Sequence, residues 1–204
     1  MSLMLWSSLF LVCLMGAMSP GPSLAVVLRE TVRNSRWHGV VAGLSHAVGV
    51  GFWAFLTVHG LALLVAEHHG LYLALSWSGA AFLAWMGLQA WRHAGEARTL
   101  EIDAGQVHSL FSAARAGALV SLLNPKLALF FIALFSQFVS ADQSALVQWL
   151  LILTAALVDG AWYSLVALLL SQPGLLRALR RRATLVEKIT GTLLLGLAVR
   201  VVTL

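Results

Sequence analysis

Long apolar segments separated by short polar linkers run through the whole chain. A helix that crosses about 30 Å of bilayer hydrocarbon needs roughly 20 predominantly apolar residues. Six segments reach that length, and they span residues 3–28, 40–66, 71–91, 110–139, 146–170 and 185–204. The last is the weakest because Glu187, Lys188 and Arg200 lie within it. The pattern predicts an all-α integral membrane protein in which six transmembrane helices form one domain over residues 1–204.

Composition supports a lipid environment for these segments. The 204 residues are 60% hydrophobic and 10% charged, whereas about a quarter of a typical soluble chain is charged. The net charge of +5 in so apolar a chain indicates cytoplasmic loops rather than a nucleic-acid partner. Cys13 is the single cysteine, which excludes a disulfide scaffold. No Lys or Arg precedes Arg29, so we expect the first segment to be a retained helix rather than a signal peptide.

The basic residues predict how the helices are oriented in the membrane. Eleven of the 13 Lys and Arg fall in or beside the first, third and fifth linkers, whereas linkers 67–70 and 140–144 hold none. The positive-inside rule therefore places the first, third and fifth linkers in the cytoplasm and both termini in the periplasm. The eleven residues are Arg29, Arg33, Arg36, Arg92, Arg98, Arg115, Arg177, Arg180, Arg181, Arg182 and Lys188.

Two apolar segments contain helix-breaking sequences near their middle. The first reads Ser19-Pro20-Gly21-Pro22-Ser23, and the fourth reads Leu123-Asn124-Pro125-Lys126. Proline removes a backbone hydrogen bond and clashes with the preceding turn. In lipid the freed carbonyls are tolerated only where neighbouring helices or a wet cavity satisfy them. Structural kinks would explain a single proline, but the two breaks occupy corresponding places in the two halves of the chain.

This correspondence predicts two inverted three-helix repeats, the first over about residues 1–92 and the second over about residues 110–204. With three helices in each half, the second half begins on the opposite side of the membrane. Inverted repeats in which helices 1 and 4 are broken are typical of secondary transporters, whose substrate site lies near the bilayer midplane. We therefore expect a transporter site where the two breaks meet.

Charged residues near the breaks are candidates for that site. Asp159 is the one acid in the middle of an apolar segment, and an ionised Asp at that depth costs of order 3 kcal/mol on insertion scales. Its partner is either Lys126 or the ammonium group of a bound substrate, and a fixed Asp159–Lys126 pair would be purely structural. Tyr163 lies four residues further on the same helix face and is a candidate for orienting the carboxylate. Asp159 is also the first candidate for proton coupling. His46 is a second candidate, although a hydrogen-bonded interior histidine is an equally good interpretation of that residue.

The second break predicts an anion site. A half-helix that begins at the break presents backbone N–H groups and a positive dipole end, and Lys126 adds a full charge beside them. A zwitterion fits between these groups and Asp159. The predicted substrate-binding set is Ser19, Pro20, Gly21, Pro22, Asn124, Pro125, Lys126 and Asp159.

Metal binding and catalysis are the alternatives. His46 and His59 are 13 residues apart on one helix, about 20 Å along its axis, so they cannot share one metal ion. The linker residues Glu67, His68 and His69 offer poor chelate geometry, which leaves a divalent-cation exporter as the second hypothesis. No nucleophile motif is present, so a membrane-embedded enzyme is a weaker third hypothesis, and we expect no metal, no cofactor and no enzymatic activity.

The ordered set of motifs resembles the LysE/RhtB family of amino-acid exporters. The resemblance covers nearly the whole chain in the right order. It implies efflux of amino acids or related small metabolites from the bacterial inner membrane, driven by the proton gradient, and it does not select the substrate. The small-residue helix faces leave room for a homodimer. The matching residues are Ser19-Pro20-Gly21-Pro22, Arg36-x-x-Gly39-x-x-x-Gly43, Leu83-x-Trp85-x-Gly87, Leu122-Leu123-Asn124-Pro125-Lys126, Asp159 with Trp162, and Gly191 to Arg200.

Overall fold

The computed structural model describes residues 2–19, 21–92, 94, 109–140, 143–170 and 173–203, and the helices and contacts below are those of these residues. They contain helices and no strand, which confirms the all-α prediction. The helices are α1 (Leu3–Met18), α2 (Pro22–Arg33), α3 (Arg36–Glu67), α4 (His69–Arg92), α5 (Leu110–Leu122), α6 (Pro125–Phe135), α7 (Ala145–Leu170) and α8 (Pro173–Thr203).

Membrane-crossing helices are recognisable by their length and hydropathy. The helices α3, α4 and α7 are each long and apolar enough to cross a bilayer. The pairs α1/α2 and α5/α6 pass the same test together and bend at their breaks by 61° and 55°. The described residues therefore provide up to five spans by this measure. The sixth predicted segment falls on α8, along which Glu187, Lys188 and Arg200 interrupt the apolar sequence.

The structure corrects several predicted helix boundaries. The helix α8 begins at Pro173, whereas the sequence pattern began the sixth helix at residue 185, so the backbone of 173–184 is helical rather than a linker. Arg29 and Arg115 were likewise counted with linkers but lie inside α2 and α5. Proline is well suited to the first helical position, and Leu, Ala and Arg are strong helix formers. Hydropathy locates the apolar part of a helix but does not detect polar turns that extend the helix.

Both predicted breaks are places where one helix ends and another begins. The backbone of Ser19 closes α1 by donating to Met15 and Gly16, and Gly21 precedes α2 in an extended conformation. At the second break, the side chain of Asn124 caps α6 by accepting from the backbone N–H of Lys126 at 3.0 Å. Pro22 and Pro125 each occupy the first turn of the new helix, where a missing N–H breaks no intrahelical hydrogen bond. Pro20 lies outside the described residues.

The long helix α3 lies at the centre and packs closely through small residues. A Cβ on Gly117 of α5 would lie 2.0 Å from the carbonyl oxygen of Ala42, and one on Gly43 would lie 2.8 Å from the Cβ of Tyr163 on α7. The helices α4 and α8 meet in the same way at Gly87 and Gly191. Small residues let helix backbones approach in this manner where lipid gives no hydrophobic drive to association.

The two ends of the bundle differ in charge. At one end α2 finishes, α3 begins and α4 finishes, and these turns carry Arg33, Arg36 and Arg92. We refer to this as the arginine end. The other, opposite end holds the turn between α3 and α4 at His68 and the end of α6.

Candidate functional site

A buried histidine joins three helices at mid-depth. His46 on α3 is 1% exposed. Its Nδ1 lies 2.7 Å from Oδ2 of Asp159 on α7, and its Nε2 lies 2.8 Å from Oγ of Ser23 on α2. An ionised carboxylate only accepts, so Nδ1 carries a hydrogen and donates to Asp159. In the neutral imidazole, Nε2 then accepts from the hydroxyl of Ser23.

Tyr163 lies one helical turn beyond Asp159 and packs against this histidine. The two rings meet edge to face with centroids 5.0 Å apart, and Tyr163 is 3% exposed. The residue expected to orient Asp159 thus contacts the imidazole that holds the carboxylate.

The two helix breaks lie side by side. Nζ of Lys126 is 3.5 Å from Oγ of Ser19, across the two breaks, and 3.8 Å from the position of a Cβ on Gly21. The start of α2 therefore lies within reach of the Lys126 side chain, which projects from the first turn of α6. Helix starts carry unsatisfied N–H groups and a partial positive charge, so two of them beside an ammonium group form a strongly electropositive corner.

A cavity of about 50 Å³ separates the electropositive corner from the carboxylate of Asp159. One water needs about 10–15 Å³, so a few water-sized groups fit. Of the predicted substrate residues, Pro125 lies in the first turn of α6 without lining the cavity, and Pro20 is outside the described residues. The polar side chains on its wall are Ser19, Ser23, His46, Asn124, Lys126, Asp159 and Tyr163.

Toward the opposite end of the bundle, apolar side chains pack next to the polar residues of the cavity wall. Residues four apart share a helix face, so each polar side chain has a neighbour one turn away. On this side the neighbour of His46 is Val50, that of Asp159 is Ala155, and that of Lys126 is Phe130. The exposed fractions of these neighbours are 1%, 2% and 5%, and all three belong to the largest hydrophobic cluster.

Toward the arginine end, a second set of buried side chains packs next to the same polar residues. One turn from Ser23, His46 and Asp159 in this direction lie three side chains of a separate cluster. The exposed fractions of Val27, Ala42 and Tyr163 are 0%, 0% and 3%. Ser23, His46 and Asp159 thus lie at one polar level, with cluster residues one helical turn, or ~5.4 Å, away on either side, and the Tyr163 ring both belongs to the second cluster and borders the cavity. The buried His46–Asp159 pair therefore has apolar packing on both sides along the helix axes, whereas Pro22, Asn124 and Lys126 on the cavity wall remain partly exposed.

Sequence reasoning gave the side chain of Ser23 no role in the site and did not pair Asp159 with His46. Ser23 belongs to the first break motif, but no histidine lies near it in sequence. The position of each residue along its helix is a signal that could have identified this cluster. Counted from the arginine end of their helices, Ser23, His46 and Asp159 lie 10, 10 and 11 residues in. Equal depth on three packed helices places the side chains at one level.

A second buried acid was also overlooked. Glu30 on α2 is 2% exposed near the arginine end, where it pairs with Arg29 at 3.0 Å and accepts from the Asn34 amide at 2.7 Å. The hydropathy boundary had placed this turn next to the first linker, where a charged pair is unremarkable. Glu30 therefore has local partners and lies about two turns from the cavity residue Ser23.

The described residues contain no cluster of side chains that could bind a metal ion. No group of three or more His, Cys, Asp and Glu side chains within them is close enough to hold an ion. His59 is exposed and its Nδ1 lies 3.1 Å from the carbonyl oxygen of Phe55. Both ring nitrogens of His46 are engaged by Asp159 and Ser23.

Apolar helices, two broken spans and a buried charged cavity define a multi-pass helical membrane protein. The chain belongs to the LysE type translocator family, whose model matches residues 14–204. This confirms the resemblance in the motifs. It is 29% identical to the threonine efflux protein of Escherichia coli K12 over 98% of both chains. It is 34% identical to the homoserine/homoserine lactone efflux protein of Salmonella typhimurium LT2, over 76% of this chain and 74% of that protein. No solved structure matches.

Proposed function

We propose that the protein is a proton-coupled secondary exporter of amino acids or related small zwitterions in the bacterial inner membrane. The observation that carries this proposal is the buried His46–Asp159 pair, which shares a cavity with the two helix starts and Lys126. The family membership and the efflux proteins among the relatives support the export direction and the amino-acid cargo.

The carboxylate of the substrate binds at the electropositive corner. Lys126 supplies a full positive charge there, and the first turns of α2 and α6 supply backbone N–H groups. The amide of Asn124 already accepts from the backbone of Lys126 through its oxygen, so its NH₂ group is the part that faces an anion as a donor. These groups keep their charge throughout the cycle.

The ammonium group binds at Asp159, where it competes with a proton. With His46 neutral, the pair carries one negative charge and attracts the ammonium. When His46 accepts a proton, the pair becomes neutral overall and that attraction is lost. Substrate and proton therefore stabilise opposite charge states of one site, which is the requirement for antiport.

Transport proceeds by alternating access between two inverted repeats with six transmembrane helices in total. In this arrangement the first repeat holds α1–α4 and the second holds α5–α8. The His46–Asp159 pair links α3 with α7, one helix from each repeat. A change in the charge of this pair therefore affects the interface between the two repeats. The basic residues favour the arginine end as the cytoplasmic side, with both termini in the periplasm. The bundle works as a monomer or as a homodimer through its small-residue faces.

Transport by purified protein in liposomes tests this proposal. Threonine and homoserine are suitable first substrates because they are the cargoes named for the relatives. We expect Asp159→Asn to abolish accumulation driven by a pH gradient while the protein keeps its size-exclusion profile and thermal transition. The exposed acid Glu67 provides the matched control, and Glu67→Gln should accumulate substrate like the wild type. Normal accumulation by Asp159→Asn would disprove the coupling role.

One observation favours a second candidate, a membrane-embedded hydrolase. Ser23, His46 and Asp159 follow the hydrogen-bond order of a serine catalytic triad. A fluorophosphonate probe distinguishes the two functions. We expect no labelling at Ser23, because an exporter has no use for an activated nucleophile. Labelling that is lost in both Ser23→Ala and His46→Gln would favour the hydrolase.

A further inference from the structure

The apolar part of the cavity wall lies on the side of the opposite end. This step rests on the proposed function, in which the carboxylate and ammonium groups both bind at the polar level. Toward the arginine end, the apolar cluster residues Val27 and Ala42 lie behind the polar groups and do not reach the cavity wall. Toward the opposite end, the wall is formed by Cys13, Val50 and Phe130, among other apolar residues. The substrate side chain therefore points toward the opposite end.

The ring of Phe130 closes that direction by reaching across from α6 to α1. A Cβ placed on Gly16 would lie 2.8 Å from Cζ of this ring and 3.3 Å from Cε1. The tip of the ring thus rests on the glycine backbone, at a distance that no other residue type at position 16 permits. The ring is 5% exposed and also meets Phe131 edge to face, with centroids 5.4 Å apart.

The position of this ring is fixed by the aromatic residues behind it. Phe131 stacks on Phe135, with centroids 5.5 Å apart and planes within 15°. Phe135 is fully buried and does not line the cavity. An aromatic ring held between a glycine and a stacked pair is a rigid wall, because any movement would displace well-packed neighbours.

We infer that Phe130, seated on Gly16, is a specificity-determining residue that limits the length of the substrate side chain. The site accepts short, uncharged side chains and rejects longer ones, because these would have to displace the ring. The wall on this side of the polar level carries no ionised side chain among the described residues, so it offers no partner to the charge of a basic amino acid.

Counterflow into liposomes tests the inference with wild type, Phe130→Ala and Phe130→Leu. The measured quantity is the ratio of leucine to threonine transport. One methylene in an apolar pocket is worth about 10–200-fold in discrimination, so we expect the ratio to rise at least about tenfold in Phe130→Ala and less in Phe130→Leu. Phe138→Ala is the matched control, because it truncates a buried phenylalanine that does not line the cavity and has no part in the Phe131–Phe135 stack, so it should leave the ratio unchanged.

Gly16→Ala tests the same contact without removing the ring. The added methyl group must displace Phe130, so the leucine-to-threonine ratio should change, whereas Gly60→Ala should leave it unchanged because nothing lies within 4 Å of that position. Unchanged ratios in Phe130→Leu and Gly16→Ala, with threonine counterflow retained, would overturn the inference and leave the exporter proposal intact. A wild type that transports no amino acid would instead refute the exporter proposal itself.

Discussion

Nδ1 of His46 and Oδ2 of Asp159 lie 2.7 Å apart, although 113 residues separate them in the chain. The contact connects α3 with α7, and both side chains are almost fully buried. A buried acid with a protonatable partner is costly to separate, because either group left alone has lost its hydration without compensation. The pair is therefore important for stability as well as for the proposed coupling.

A double-mutant cycle measures how strongly the pair is coupled. His46→Leu leaves Asp159 buried without its partner, so we expect a loss of unfolding free energy of about 3–5 kcal/mol. In an Asp159→Asn background the same substitution should cost less, because no charge is stranded. Thermal or denaturant unfolding in detergent provides the four values. Additive effects of the two substitutions would show that the contact contributes little.

Lys126 should contribute to affinity through the carboxylate of the substrate. A hydrogen bond to a charged group is worth about 1.5–3 kcal/mol, so Lys126→Met should weaken threonine binding by about 10- to 150-fold. The amine that lacks the carboxylate, 1-amino-2-propanol, should bind both proteins equally. Lys188, whose ammonium lies 5.6 Å from the Trp91 ring, supplies the control Lys188→Met with unchanged binding. An equal loss of affinity for both ligands would remove Lys126 from the carboxylate site.

Close helix packing at Gly117 should make that position intolerant of any side chain. Gly117→Ala places a methyl group 2.0 Å from the carbonyl oxygen of Ala42, so α3 and α5 must separate. We expect a loss of about 1–3 kcal/mol in unfolding free energy. Gly196 on α8 has nothing within 4 Å, and Gly196→Ala should be neutral or stabilising by up to about 1 kcal/mol. Equal stability of the two variants would contradict the packing described for α3 and α5.

The proposed orientation predicts which end of the bundle faces the periplasm. Cys13 is buried and is replaced first, giving a Cys13→Ala background in which single cysteines are introduced. A membrane-impermeant maleimide added to intact cells should label Glu67→Cys and should label Arg36→Cys only after permeabilisation, since both positions are exposed. The reverse pattern would place the arginine end outside.

The helix breaks were predictable because their causes are local. Proline and glycine impose backbone constraints that depend on their immediate neighbours, and Pro22 and Pro125 begin new helices as those constraints require. The hydrogen-bond network around His46 was not predictable in the same way. It depends on the rotation and depth of three helices, and nothing in the sequence near Ser23 indicates a histidine partner.

The helix boundaries illustrate a different limit. The first half of α8 is polar and basic, so a hydropathy pattern assigns it to a linker although its residues favour helix. The buried Glu30 was missed for a different reason, since its partners Arg29 and Asn34 are sequence neighbours but its burial is created by tertiary packing around α2.

The thinness of the polar level has a consequence for the cell that makes this protein. Cells store energy as ion gradients across their membranes, and any continuous wet path through a membrane protein would discharge such a gradient. Here the charged groups lie between fully buried apolar side chains such as Val27 and Val50. A proton that moved along the bundle axis past the His46–Asp159 pair would have to cross that packing, which opposes leakage by this route.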